Sequence, residues 1–304
     1  MLDFVMSLPS PVAQGMIWGI MAIGVYITFK ILDVADLTVD GSIGTGGAVL
    51  VVLTTVYNVN IYIALLAAFA AGCVAGLVTG ILHTKFGIPA ILAGILTQLA
   101  LYSANLGIMQ GRANTTISWR NYSLIVSSKT DQLPITILKC LAFVVVIIAI
   151  LYWFFGTELG HSIRATGCNN TMARANGINT DSRIIIGLII SNGIVALSGG
   201  LLAQFSGSAD VNMGRGAIVI GLAAVIIGEV IFGKIFSNFA LRLFSVVIGG
   251  ILYYIVIAVV LKLGLNANNL KLFSALFVAV FLAIPYWKSK FSKNKAPKVK
   301  GEVK

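Results

Sequence analysis

The stretch LDVADLTVDGSIGTGG (32–47) decides how this chain is interpreted, because it places three carboxylates and four glycines between two long apolar runs. Carboxylates are costly inside hydrocarbon, so these must face water, a cavity or one another. Thr38, Asp40 and Ser42 have side chains that can cap a helix beginning just after them. The stretch therefore predicts a helix broken near the membrane, where unwound backbone must lie against protein or a water-filled path. The alternative is a loop just below the membrane, with capping aspartates that touch no solute.

The composition of the whole chain indicates a membrane protein. Of its 304 residues, 58% are hydrophobic and only 10% are charged, and the mean hydropathy is +0.98. Soluble domains carry roughly 25% charged residues, and a chain of this length cannot bury such an apolar excess in its own core. Repeated apolar runs of about 20 residues predict one all-α polytopic bundle and not two soluble domains.

About nine apolar runs are long enough to be membrane spans. Glycines interrupt several of them, as in 71–80 and 198–200, and small residues let helix backbones approach closely in lipid. The first run lacks a basic flank and a small-residue cleavage site, so we expect no removed signal peptide. The predicted spans are residues 12–31, 41–57, 61–82, 89–109, 134–155, 184–206, 216–232, 241–261 and 271–286.

Charge predicts the orientation of the bundle. The tail, residues 287–304, has seven lysines and one glutamate, which places it in the cytoplasm. Nine spans then put the N-terminus outside and residues 157–183 inside. We divide the chain into a transmembrane domain (1–286) and this Lys-rich cytoplasmic tail. The tail holds more than half of the net charge of +11. A nucleic-acid site would need aromatic residues interleaved with the basic ones or a folded basic face. We assign the tail instead to anionic lipid headgroups and expect no nucleic-acid partner.

Motifs for chemistry are missing from the sequence. The three cysteines form no CxxC pair, and neither histidine has a carboxylate at a spacing that suggests a metal site. GEVIFGKI (228–235) matches G-x-x-x-x-G-K, but Ile235 stands where a phosphate loop needs a hydroxyl for Mg²⁺. Neither GxSxG nor HExxH occurs. We therefore expect no enzyme activity, no catalytic residue, and no cofactor or metal on this chain.

The inside loop of residues 156–182 is longer than a simple connection requires. Asn169 and Asn170 suit a helix N-cap and Gly177 suits the position after a helix end, so a short helix is predicted between them. With Arg164 and Arg174, such a helix would form a docking surface for a cytoplasmic partner. An ordinary connecting loop is the alternative.

The sequence RATGCNNTMARANGIN (164–179) resembles the cytoplasmic coupling segment of permease subunits of bacterial ABC importers, in the subgroup of ribose and branched-chain amino-acid permeases. DLTVDGSIGTGGA (36–48) is similar to an element of the sugar-type members, and closer still to a form found in permeases for tryptophan and tyrosine. Ile43 and Gly44 stand where that form commonly has Phe and Pro. The residues that match the coupling pattern are Arg164, Ala165, Gly167, Asn169, Ala173, Arg174, Gly177, Ile178 and Asn179.

This resemblance implies a permease subunit of an ABC importer in the bacterial cell membrane, working as a homodimer with the path at the two-fold axis. Two cytoplasmic ATPase subunits would dock against residues 160–180 and bind the ATP and Mg²⁺, and an extracytoplasmic binding protein would deliver the solute. The implied solute is an amino acid, more narrowly an aromatic one, with sugars or nucleosides as the alternative. An ion-coupled secondary transporter is the alternative of another class.

Two similar stretches of sequence, called here the echo segments, suggest an inverted repeat. ADLTVDGSIG (35–44) resembles ADVNMGRGAI (209–218), and five predicted spans separate the two copies. An odd number of spans puts the copies on opposite sides of the membrane, as in transporters built from inverted repeats around a central path.

Polar residues within the spans either face a path or hydrogen-bond between helices. Glu229 is open to three interpretations: a buried protonated carboxyl, a path residue, or an interfacial residue near Lys234. The outside loop 110–133, which carries Trp119 and two arginines, either docks the delivery protein or is a solvated loop. The candidate path or broken-helix residues are Asp36, Thr38, Asp40, Ser42, Gln98, Asn105, Asn192, Asp210 and Glu229.

Overall fold

A computed structural model describes residues 9–127, 133–233 and 235–262, together with 272, 273, 275, 276, 278–281 and 283. Within these residues the chain is mostly helical, and six helices are long and apolar enough to cross a membrane. The predicted all-α polytopic class is thereby confirmed, while the count of nine spans and the orientation stay predictions. Part of the predicted span 271–286, the whole predicted tail 287–304 and Lys234 lie outside the described residues.

The described chain contains ten α-helices and two short strands. The first helix ends in a five-residue π-helical turn, Ile27–Ile31. In chain order the elements are α1 (Pro9–Tyr26), α2 (Val39–Thr55), α3 (Ile61–Thr84), α4 (Ala90–Ile108), β1 (Asn114–Thr116), α5 (Leu133–Phe155), α6 (Glu158–Cys168), α7 (Asn170–Ala175), α8 (Thr180–Ser206), β2 (Ser208–Asp210), α9 (Ala217–Phe232) and α10 (Phe239–Lys262).

Helix α8 forms the centre of the bundle and packs against α1, α2 and α3. These contacts are close because glycines face the neighbouring backbone. A Cβ at Gly46 of α2 would overlap the carbonyl of Ala196, and one at Gly72 of α3 would overlap the carbonyl of Asn192. Ser198 of α8 also donates to the carbonyl of Ile17 on α1, at 2.7 Å. Small residues and hydroxyls thus join these helices, as is usual in bundles that gain nothing from the hydrophobic effect in lipid.

The bundle has two distinguishable ends. The helical end carries α6 and α7, which connect α5 to α8. The strand end carries β1 and β2, an antiparallel pair in which Asn114 lies opposite Asp210. Since β2 directly follows α8, this long helix runs from the helical end to the strand end.

Two helices, α2 and α9, are shorter than a membrane is thick. They have 17 and 16 residues, about 25 Å each, against a hydrocarbon core of about 30 Å. Both begin inside the bundle. Residues 32–38 return from the helical end, and α2 then continues to the strand end, where the carbonyl of Thr55 accepts a hydrogen bond from Tyr122 at 3.3 Å.

The residues that precede the second short helix, α9, reach the start of α2 from the strand end. Residues 211–216 descend alongside α2, with the carbonyl of Val211 facing Gly44 and Gly214 packed on the backbone of Asp40. Helix α9 then continues towards the helical end. The predicted echo segments therefore do not stay on opposite sides: each enters from its own end, and the two meet halfway.

Candidate functional site

Asp36 lies at the centre of a buried hydrogen-bonded cluster. Only 2% of this residue is exposed. Its Oδ2 accepts a hydrogen bond of 2.7 Å from Nδ2 of Asn192, and its Oδ1 accepts one of 2.9 Å from the N–H of Thr38. Oδ1 of Asn192 in turn accepts from the hydroxyl of Ser42, at 2.6 Å. The cluster brings predicted residues from two separate segments together and joins α8 to the residues that lead into α2.

A chain of three threonine hydroxyls continues from this cluster towards α4. Oγ1 of Thr38 lies 2.7 Å from Oγ1 of Thr79, which lies 2.9 Å from Oγ1 of Thr97, and all three residues are buried. Sequence reasoning missed Thr79 and Thr97. Each lies in an apolar helix, where a threonine normally bonds to the carbonyl four residues earlier, so no pattern distinguishes them.

Asp40 binds the other short helix. Its two carboxylate oxygens accept hydrogen bonds from the N–H groups of Gly216 and Ile218, each at 2.9 Å, at the start of α9. A negative charge there satisfies unpaired donors and interacts favourably with the helix dipole. The prediction that Thr38, Asp40 and Ser42 cap their own helix is wrong: α2 begins at Val39, and the Thr38 side chain makes no capping bond to it.

Asp210 repeats the local geometry of Asp36. Its Oδ1 accepts from the N–H of Asn212 at 2.7 Å, the same two-residue offset that joins Asp36 to Thr38. Its Oδ2 also accepts from Asn114 of β1 at 3.3 Å. Both copies of the echo thus form the turn typical of aspartate just before a short apolar helix.

We call the point where α2 and α9 meet, held by Asp36, Asp40 and Asn192, the junction. The other polar candidates lie around the junction or at the helical end. Asn105 is 1% exposed, its Nδ2 faces Gly44, and its Oδ1 finds no partner among the described residues. Gln98 is half-buried and packs its backbone against Gly41. The carboxylate of Glu229 lies 2.8 Å from the ammonium of Lys30, with both side chains 47% exposed. Glu229 is therefore a paired, half-exposed residue.

The segment 156–182 forms two short helices at the helical end. As predicted, Asn169 is the N-cap of α7, accepting from the N–H of Met172 at 2.9 Å, and Gly177 adopts a left-handed φ of +79° just after the helix. Gly167 of α6 packs so closely on the carbonyl of Ile31 that a Cβ there would overlap it. The segment therefore rests directly on the end of α1.

The two arginines of this segment hold it in place. The guanidinium carbon of Arg164 lies 4.1 Å from the centre of the Phe239 ring and 5.4 Å from that of Phe155, distances typical of cation–π contacts. Burial lowers the pKa of Arg164 below its ordinary value, and an arginine still stays protonated at neutral pH. Arg174 donates to Thr180 at 2.7 Å and Asp181 at 2.6 Å.

The surface that this segment presents is therefore the tip formed by α7 and the residues beside it. Met172, 52% exposed, is the large apolar side chain there. The other exposed residues of the tip are Cys168, Asn169, Asn170, Thr171, Arg174, Ala175, Asn176, Gly177 and Asn179, while Ala165 and Ile178 are half-buried and Ala173 is buried.

Comparison with known proteins gives one family and several relatives. A family model described as branched-chain amino acid transport system / permease component matches residues 10–285. The tyrosine transport system permease protein of Clostridioides difficile (strain R20291) is 42% identical over 90% of both chains. The uncharacterized protein RP368 of Rickettsia prowazekii (strain Madrid E) is 34% identical over 89% of this chain and 94% of its own. The ribose import permease protein RbsC of Escherichia coli (strain K12) is 28% identical over 69% of this chain and 64% of its own.

Proposed function

The chain belongs to the branched-chain amino acid transport system permease family, and from this premise we propose that it forms the path by which an ABC importer brings an aromatic amino acid into the cell. Family membership makes it a multi-pass permease of the bacterial inner membrane. The observation that supports an aromatic cargo is the 42% identity, over 90% of both chains, to a tyrosine transport system permease. The second candidate is a sugar, favoured by the ribose import permeases at 28% identity.

The proposed assembly has three kinds of component: two copies of this chain, cytoplasmic ATPase subunits, and a binding protein outside. The helical end, with α6 and α7, is the surface for the ATPase. The loop after α4 at the strand end is the surface for the binding protein. There Arg120 stacks on Trp119, with 5.1 Å from the guanidinium carbon to the ring centre, and Trp119 is 37% exposed. Tryptophan and arginine are both enriched in protein interfaces.

A contiguous set of contacts supports coupling between the ATPase surface and the central junction. Gly167 of α6 packs on Ile31, the next residue Leu32 packs on Gly187 of α8, and residues 32–38 lead directly to Asp36. A displacement of α6 by ATPase closure would move Ile31 and shift the segment that holds the junction. We propose that this movement switches the path between its two orientations.

The proposed cargo is tested by uptake into liposomes that contain the chain and its ATPase, with the binding protein outside and ATP inside. We expect labelled L-tyrosine to accumulate only when ATP is present, and unlabelled tryptophan to compete with it while ribose does not. Uptake of ribose without tyrosine would support the second candidate instead. Uptake driven by an ion gradient without ATP would contradict the importer and indicate a secondary transporter.

The proposed ATPase surface predicts the effect of Met172→Asp. This exposed side chain has no structural partner to lose, and placing a charge in an interface centre typically costs about 2 kcal/mol or more, about a thirtyfold loss of affinity. We expect the ATPase to stop co-purifying in mild detergent. The matched control is Tyr57→Asp, since Tyr57 is 67% exposed on the loop after α2, at the opposite end. Equal recovery of the ATPase with both variants would contradict the assignment.

A further inference from the structure

We propose that Arg215 lines the translocation path at mid-depth and pairs with the carboxylate of the passing solute. This inference rests on the proposed function, because it assigns a residue to an amino-acid cargo. The inference goes beyond the proposed function, because neither the family nor the predicted site residues indicate a role for Arg215.

The depth of Arg215 follows from hydrogen bonds on both sides of it. Its neighbour Gly216 donates to Asp40, and two residues along α2 from Asp40, Ser42 donates to Asn192 of α8. Asn192 lies 12 residues from the first residue of α8 (192 − 180) and 14 from its last (206 − 192). At about 1.5 Å per residue these are about 18 Å and 21 Å. Arg215 therefore lies near the middle of the bundle.

At this depth Arg215 is exposed and unpaired. No hydrogen bond or ion pair joins its guanidinium to another described residue, whereas Arg164 and Arg174 both have partners. Gly216 and Val219 beside it are exposed as well. An arginine facing hydrocarbon at the middle of a membrane is strongly unfavourable, and such residues face a water-filled cavity or a partner charge. We therefore infer that the exposed residues Arg215, Gly216 and Val219 line a water-filled cavity.

The surroundings leave the charge of Arg215 available. Both oxygens of Asp40, the carboxylate that binds the neighbouring Gly216, are already taken by N–H groups at the start of α9. A guanidinium offers paired N–H donors that match a carboxylate, and every α-amino acid carries one. At the same level, the backbone of Gln98 packs on Gly41, and one helical turn further along α4 Tyr102 is 42% exposed. Tyr102 lies on the same face of α4 as Gln98.

Charge-changing variants test the pairing. We expect Arg215→Gln to lower ATP-dependent tyrosine uptake about tenfold, the loss expected for one charge-assisted hydrogen bond. Arg215→Lys should lower uptake less, because lysine keeps the charge but loses the paired donors of the guanidinium. ATPase recovery, ATP hydrolysis without solute and the oligomeric state should stay unchanged. The matched control is Lys85→Gln, an exposed cation at the end of α3. Uptake by Arg215→Gln within twofold of the parent would overturn the pairing. If Arg215→Gln dissociated the dimer, the pairing with the solute would also be overturned, because Arg215 would then pair with a charge on the second copy of the chain.

Cysteine labelling tests the position independently of the cargo. With Cys73, Cys140 and Cys168 replaced by alanine, Arg215→Cys should react in sealed vesicles with a charged methanethiosulfonate reagent. Val74→Cys should not react: Val74 is 59% exposed at the same depth, two residues from the Gly72–Asn192 contact, but on an apolar surface. The aminoethyl reagent, which returns a positive charge, should restore uptake, and the sulfonatoethyl reagent should not. An unreactive Arg215→Cys, or equal reaction of both variants, would overturn the location. If the parent chain imported no tyrosine but Arg215→Cys reacted, the location of Arg215 in the path would still be supported and only the proposed cargo would be refuted.

Discussion

Replacing Asn192 by leucine is expected to abolish uptake, with a loss of about a hundredfold or more, and to lower the stability of the bundle. Asn192 is the residue that donates to the buried carboxylate of Asp36 and accepts from Ser42. Leucine removes both interactions and leaves a carboxyl group buried without its side-chain donor. A buried polar group left without its hydrogen-bond partner typically costs about 1–3 kcal/mol, and more where it is charged, while about 2.7 kcal/mol corresponds to a hundredfold change in a rate. Uptake in liposomes and thermal unfolding in detergent measure the two effects.

Two further variants separate the cluster from general damage to α8. Ser191→Ala removes one hydrogen bond from the adjacent residue, the 2.7 Å bond to the carbonyl of Gly24, and leaves the cluster intact. It should keep most of the uptake. Asp36→Asn keeps the shape but only one of the two acceptor oxygens, and its NH₂ group would face either the N–H of Thr38 or Nδ2 of Asn192. It should therefore be less stable than the parent, and it tests the cluster from the Asp36 side. If Asn192→Leu transported as well as Ser191→Ala, the cluster would have no role in transport.

Replacing Gly167 by alanine is expected to uncouple ATP hydrolysis from uptake. The added Cβ would overlap the carbonyl of Ile31 and come within 2.9 Å of the Cα of Leu32, so α6 must move away from the end of α1. The tip around α7 stays exposed, and the ATPase should still bind. We expect uptake to fall about thirtyfold, the size of a coupling free energy of about 2 kcal/mol, while ATP hydrolysis continues.

The matched control is the same substitution at Gly107 of α4, where a Cβ meets nothing within 4 Å. Alanine is the better helix former, by about 0.8–1.0 kcal/mol, so Gly107→Ala should be neutral or slightly stabilising. Comparing the ratio of solute transported to ATP hydrolysed in the two variants isolates the contact with α1. An unchanged ratio in Gly167→Ala would show that α6 does not act through Ile31.

The sequence was sufficient to predict the class of fold and the aspartate, serine and asparagine of the buried cluster. It did not predict Thr79 and Thr97, or how the cluster residues pair. Hydropathy locates the apolar runs because burial in lipid acts on each run separately. It does not show that α2 and α9 begin halfway, since their lengths of 17 and 16 residues differ little from a complete span. The backbone partners of Asp40 at Gly216 and Ile218 are distant along the chain, and capping rules describe only neighbours.

Residues that sequence reasoning missed share a physical property. Lys30 is an ordinary basic residue at a helix end until folding brings Glu229, 199 positions later (229 − 30), within 2.8 Å of it. Arg215 has no motif around it, and its position at mid-depth depends on the descent of residues 211–216 along α2. Both are determined by long-range packing of the helices, which local patterns do not encode.

The ion pair between Lys30 and Glu229 is weaker than the hydrogen bonds of Asp40 at the other end of α9. The junction at Asp40 uses two backbone donors inside the bundle, whereas the pair at the far end of α9 is half in solvent, at 47% exposure. An ion pair in solvent contributes about 1 kcal/mol or less and is weakened by salt, so thermal motion breaks and remakes it readily. Helix α9 is therefore joined to α2 by buried backbone hydrogen bonds at its start, whereas near its end it depends on the close packing of Gly228 against the backbone of Ser245 and on an ion pair that salt would weaken.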